Sequence, residues 1–157
     1  MCVYAYQQPK SFVDDSIVNI SNDWLKQVNS KNYHHFFPRA YLEKLNKDDK
    51  LINHILNITI VDDFLNKKLI KVKPPSEYME RYKKENPQLS ETMKTHLIMD
   101  LEEFGVWSDN YDTFIEKRAE ILSKELEKRL IKQYIDEKPQ TDLVNDYSDY
   151  GKELEDD

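Results

Sequence analysis

The chain has 157 residues, 39% hydrophobic and 34% charged, with a formal net charge of −7. That length fits one domain with its own core, and the charge content fits solvated helices. Only two glycines occur, Gly105 and Gly151, which argues against a hairpin-rich all-β fold, because tight hairpins draw on glycine or Asn-Gly turns.

Residues 1–10 read as a strand or an irregular lead. Ser11 and Ser21 each precede a short helical pattern; in the second, Trp24, Leu25 and Val28 share one face. These residues form a lead segment, 1–30. The main domain is expected over 31–135. It opens with an aromatic strand, Asn32 to Phe37, after which Pro38 suits the first turn of a helix holding Ala40, Tyr41, Leu42 and Leu45. The polar loop 46–50 follows. Leu51 to Leu56 then leads into a second strand, Asn57 to Val61, with Ile58 and Ile60 on one face and Asn57 and Thr59 on the other. Asp62 or Asp63 can cap a short helix with Phe64, Leu65, Leu69 and Ile70, from which Asn66 projects.

Pro74-Pro75 interrupts the pattern, and Ser76 starts a helix running to about Pro87. Another helical stretch after Ser90 holds Met93, Leu97 and Ile98, and Gly105 ends a helical turn. Thr113 and Glu116 have the spacing of a capping box. They open the longest helix, whose apolar stripe is Ile115, Ala119, Leu122, Leu126 and Leu130. The tail, 136–157, has charge without periodicity and reads as disordered.

Residues 136–157 hold nine acids and two lysines, a net of −7, so the remainder of the chain is neutral. Within 31–84 there are 12 bases and seven acids, a net of +5. No apolar run approaches the roughly 18 residues of a membrane span, so no membrane partner is expected. The opening MCVYAYQQPK lacks a basic region followed by an apolar core, and the single cysteine, Cys2, excludes an internal disulfide; both fit a cytoplasmic location.

The histidine pair and the two asparagines carry the chemistry. Hydrolysis of a phosphodiester needs an activated water and a cation to neutralise charge on phosphorus and the leaving oxygen. Histidine suits the base, since its ordinary pKa lies near neutrality. A hard divalent cation keeps most of its waters and needs only one or two protein ligands. Adjacent strand residues point to opposite faces, so His34 and His35 can share a site only where the strand ends or twists, as Pro38 allows. One imidazole would hold the metal and the other would face the water. Asn66 would supply a second ligand through its amide oxygen. Asn57 could fix the loop between the strands and so orient the base.

These residues resemble the HNH, or His-Me finger, nucleases, whose ββα-metal unit runs strand, loop, strand, helix. The similarity is greater to the HxxP-bearing nuclease domain at the C-terminal end of GmrSD-like type IV restriction endonucleases, which attack modified phage DNA. The matching pieces, in order, are HHFFPRAYL (34–42), INHILNITIVDDFLNKKL (52–69), KPPSEYM (73–79), HLI (96–98) and FIEKRAEIL (114–122). The resemblance implies a helix-dominated α+β domain around a ββα-metal core. It also implies metal-dependent endonucleolytic cleavage of DNA, leaving 5′-phosphate and 3′-hydroxyl ends, in restriction or antiviral defence. By position, His35 corresponds to the general base, His34 to a metal ligand, Asn57 to the central asparagine and Asn66 to the ligand on the helix. The family often has aspartate where this chain has His34. Magnesium (Mg2+) is the cofactor the resemblance implies, and the nitrogen donor of His34 shifts preference toward manganese (Mn2+) or another transition metal.

About 30 residues precede the motif, where the family carries a nucleotide-hydrolysing sensor domain. A separate NTP-hydrolysing, modification-sensing subunit is thus an expected candidate partner, and a homodimer is a further one if both strands are cut. A fragment, or an inactive DNA-binding or regulatory remnant of the fold, is the alternative. Arg39, Lys67, Lys68, Lys71 and Lys73 are either an ordinary solvated face or phosphate contacts. His54 and His96 are expected to be structural, with contact to phosphate the alternative for either. Arg118 is either an ion-pair partner or part of something more.

Overall fold

Short β-branched and aromatic runs pair across a long connection. In the computed structural model, which describes residues 7–18, 33–61, 70 and 72–130, strands β1 (Tyr33–His35) and β2 (Ile58–Ile60) form an antiparallel two-stranded sheet. The register sets Tyr33 opposite Ile60, His34 opposite Thr59 and His35 opposite Ile58. Between the strands lie helix α1 (Arg39–Lys44), helix α2 (Asp49–Ile52) and a 3-10 turn, Ile55–Asn57. Each starts for a local reason. Pro38 presets φ at −57° ahead of α1. The Asp48 carboxylate accepts the Lys50 N–H at 2.8 Å. The exposed His54 ring accepts the Leu56 N–H at 3.2 Å, a capping role. Helices α3 (Pro75–Glu85), α4 (Leu89–Lys94) and α5 (Tyr111–Glu127) follow. The described residues therefore make a helix-dominated α+β domain. No helix among them is long and apolar enough to cross a membrane.

The core forms where β1 runs out. Phe36 and Phe37 are fully buried. The Phe36 ring stacks on Phe114 of α5 at 4.7 Å between centroids and meets Tyr78 of α3 edge-on at 5.9 Å. Phe37 meets Tyr111 edge-on at 5.3 Å. The Tyr78 hydroxyl donates to the Phe36 carbonyl at 2.5 Å, so its phenol has a partner as well as packing. Burial raises the Tyr78 pKa well above its ordinary value.

Several elements differ from the sequence expectation. The segment after Ser11 is a turn closed by an isolated Lys10–Ile17 bridge rather than a helix. Its polar side chains compete with helical backbone bonds: Asp14 accepts from the Ser16 N–H and hydroxyl. Asn57 ends the 3-10 turn rather than starting the strand. Both faces of β2 are covered, since Thr59 and Ile60 are both buried. Helix α4 stops before Leu97, which takes φ +61°. Helix α5 begins at Tyr111, because Asn110 rather than Thr113 is its cap and accepts the Thr113 N–H at 3.1 Å. Its buried face is Tyr111, Phe114 and Arg118, whereas Leu126 and Leu130 of the expected stripe are exposed.

The helix expected over Ser21–Val28 lies outside the described residues. So do the one expected after Asp63, including Asn66, and the acidic tail.

Candidate functional site

The site is built on a buried carboxamide. Asn57 is 0% exposed. Its Oδ1 accepts the Phe37 N–H at 2.8 Å, and its Nδ2 donates to the Phe37 and Ile52 carbonyls, both at 3.0 Å. The Phe36 N–H donates in turn to the Asn57 carbonyl at 2.7 Å. One side chain thus joins the chain just after β1 to the end of α2. A carboxamide, with an acceptor and a paired donor, matches this set of partners. The sequence expectation that Asn57 fixes the connection between the strands agrees with this geometry.

That clamp holds the backbone immediately after His35. The His35 ring is half-buried, and its Nε2 lies 3.1 Å from Oδ1 of Asn53. Asn53 caps the C-terminal end of α2 and donates from Nδ2 to the Asp49 carbonyl at 3.1 Å. Asn53 was not singled out in the sequence. Its only signal is its position at the end of a short helix inside the matched block.

His34 points to the other face of β1 but reaches the same opening. It is 5% exposed, opposite the buried Thr59. Yet His34 and His35 both line one cleft of about 320 Å³, with Tyr33, Pro38, Ala40 and the exposed Arg39 and Glu43 among its other lining residues. The ending of β1 at His35 is what allows neighbouring side chains to share an opening.

The face carrying His34 is closed by a second network. The Thr59 hydroxyl lies 2.8 Å from Nδ1 of His96, and the His96 Nε2 lies 2.8 Å from the Lys10 carbonyl. A carbonyl only accepts, so the ring carries its proton on Nε2 and takes the threonine hydroxyl at Nδ1. Burial pushes the His96 pKa down to about 4; the Lys10 carbonyl opposes this shift and the charge of Arg118 adds to it. His96 is therefore a neutral core residue, in agreement with the structural role expected for it.

Arg118 is the other buried support. It is 1% exposed and donates from one terminal nitrogen to the Leu56 carbonyl and, at 3.1 Å, to the Ile58 carbonyl. Its other terminal nitrogen donates to the His96 carbonyl at 3.0 Å. The guanidinium also lies 5.4 Å from the Phe114 ring centroid. The carbonyls of Leu56 and Ile58 flank Asn57, so α5 grips the clamp from behind.

The remaining candidates divide. Arg39 is at the cleft, bonded to Glu43 at 2.7 Å and Asp49 at 3.0 Å. Lys73 is exposed and paired with Glu77 one helical turn on. Asn66, Lys67, Lys68 and Lys71 fall outside the described residues. The structure thus brings His34, His35 and Arg39 to one opening, with Asn57 holding the backbone after His35. No group of three or more His, Cys, Asp or Glu able to hold a metal occurs among the described residues. No protein-family model, curated protein or solved structure matches this chain.

Proposed function

We propose that this chain is a metal-dependent DNA endonuclease of the HNH type, with His35 as general base, acting in restriction or defence against foreign or modified DNA. The observation that carries the reading is the Asn57 clamp. A fully buried carboxamide holds the main chain of Phe37 on both its N–H and its carbonyl, two residues beyond an imidazole that lines a cleft. The resemblance of the ordered motifs to HxxP-type nucleases points the same way.

In this reading His35 takes a proton from water as the water oxygen bonds to phosphorus. The P–O3′ bond breaks, and O3′ gains a proton from solvent, leaving 5′-phosphate and 3′-hydroxyl ends. Arg39 is the cleft's cation for a backbone phosphate; engaging it means exchanging the carboxylates of Glu43 and Asp49 for the phosphate. A bound divalent ion would supply charge neutralisation at the phosphate. His34, which lines the cleft, and Asn66 are the proposed ligands of a water-rich, sparsely ligated ion. Magnesium or manganese suits such a site better than a zinc cage of several protein ligands. A separate NTP-hydrolysing sensor subunit would provide selectivity that backbone contacts lack.

Cleavage of supercoiled plasmid with magnesium or manganese tests the proposal. The expected result is nicking or linearisation that falls by roughly 10²–10⁴-fold in His35→Ala. Undiminished cleavage by that variant overturns the assignment of the base. Absence of cleavage by the wild-type chain with either metal, alone and with a sensor subunit, overturns the nuclease reading.

A further inference from the structure

We propose that Asn53 is a positioning residue that holds the neutral imidazole of His35 in its Nε2–H form and leaves Nδ1 as the atom that takes the proton from water. The proton-transfer half of this statement rests on the nuclease reading above; the tautomer half rests on geometry alone.

The argument starts at Asp49. Its peptide carbonyl can only accept a hydrogen bond, and the Asn53 side-chain atom 3.1 Å from it must therefore be the amide nitrogen. That fixes which end of the carboxamide faces His35. The atom 3.1 Å from Nε2 is the oxygen, which also only accepts, so Nε2 must carry the proton. In a neutral imidazole the lone pair is then on Nδ1. When Nδ1 gains a proton, the ring becomes an imidazolium with N–H at both positions, and the Asn53 oxygen keeps its bond while facing the new positive charge.

The placement of Asn53 is not accidental to the site. It sits next to Ile52, whose carbonyl accepts from Nδ2 of Asn57 at 3.0 Å. The same nitrogen donates to the Phe37 carbonyl, two residues beyond His35. One carboxamide thus anchors both the segment bearing the base and the helix end bearing the group that orients it. Asn53 itself is exposed, so its side chain can be changed without opening the core.

The experiment uses the full chain labelled with 15N and records imidazole nitrogen–proton correlation spectra of the neutral ring, without metal or DNA. Assignment comes from the loss of one signal set in His35→Ala. The wild type is expected to show a protonated Nε2 and a lone-pair Nδ1 at His35. In Asn53→Ala both shifts move toward averaged tautomer values. The kcat for plasmid cleavage falls roughly 10-fold at unchanged KM, part of the 10²–10⁴ that a positioned base supplies. Asn53→Asp, which keeps an acceptor oxygen, retains the wild-type tautomer. A protonated Nδ1 in the wild type, or an Asn53→Ala variant with unchanged shifts and unchanged kcat, overturns the role of Asn53 while plasmid cutting by the wild type still stands. A wild-type chain that cuts no DNA overturns the proton transfer, and the spectra then decide the tautomer by themselves.

Discussion

Replacing Asn57 with alanine removes one buried carboxamide and the three hydrogen bonds it makes to Phe37 and Ile52. An N–H and two carbonyls are left facing a void in a site with no solvent exposure. A buried polar group stripped of its partner costs about 1–3 kcal/mol, with carbonyls at the lower end because each has a second lone pair to use. Water entering the vacated volume offsets part of this. The expected loss is ~3–5 kcal/mol, a large share of the ~5–15 kcal/mol typical of a domain. Urea unfolding followed by circular dichroism reads it as a lower midpoint at unchanged m-value. Asn57→Asp sharpens the test. Aspartate can still accept the Phe37 N–H, but its second oxygen confronts two carbonyls. Protonation of the buried acid restores one donor. The aspartate variant should therefore be as weak as alanine at neutral pH and recover relative to it as pH falls toward and below the carboxylate range. An alanine variant destabilised by less than about 1 kcal/mol, or an aspartate variant with the pH response of the wild type, would refute the clamp.

Other perturbations follow from the same contacts. His96 is held down at about 4 against an ordinary 6.5, so between those values the folded form binds fewer protons than the unfolded chain. Its contribution is complete above about pH 6.5 and is lost as pH falls toward 4, by up to ~3 kcal/mol; a wild-type pH slope no steeper than that of His96→Gln in urea midpoints refutes it. Arg118→Met strips a donor group from three carbonyls but also removes a buried charge, and the balance is a loss of ~2 kcal/mol in urea unfolding. Arg118→Lys should not rescue it, because one ammonium cannot span the set that the planar guanidinium reaches. Gly105 has φ +67°, and a Cβ there would lie 3.0 Å from both Cβ and the carbonyl oxygen of Asn110. Gly105→Ala should cost ~1–3 kcal/mol, read as a lowered Tm by calorimetry; an unchanged Tm contradicts it.

What was legible in the sequence was local. The aromatic strand, the proline ahead of α1, the β-branched run of β2 and the helix after Pro74-Pro75 all follow from residue chemistry within a few positions. The scarcity of glycine argued against an all-β fold, and the helix-dominated α+β class came from the family resemblance. The misreadings arise where tertiary contacts decide. Apolar spacing alone puts the stripe of α5 on Ile115, Ala119, Leu122, Leu126 and Leu130, and an arginine carries no apolar signal. Arg118 is instead on the buried face, and the stripe is rotated to include Tyr111 and Phe114. The spacing of Thr113 to Glu116 fits a capping box and points to Thr113 as the cap. Asn110 is the cap instead, held at the turn by its N–H, which donates to the Gly105 carbonyl at 2.8 Å. In the site, His34, His35 and Asn57 were legible as residue types at a spacing. Asn53 was not, because its meaning depends on which ring the end of a four-residue helix meets.

The sheet explains why so much of the site's support is distant in sequence. Three residues per strand in a two-stranded sheet are too few to hold a side chain in a fixed direction, since an isolated pair of strands is at best marginal in water. The orientation of His35 therefore cannot come from β1 and β2 alone. It comes from the residues on either side of the sheet and from what grips them. Phe36 is stacked on α5 and bonded through its carbonyl to Tyr78 of α3. Phe37 is held by Asn57, and the carbonyls on both sides of Asn57 are held by Arg118 of α5. The bonds to the Phe36 and Leu56 carbonyls and to the Phe37 N–H are buried, so solvent does not compete for them. The helices late in the chain thus act on the imidazole through the backbone. A substitution at Tyr78 or Arg118 should loosen the cleft although neither side chain is among the residues that line it.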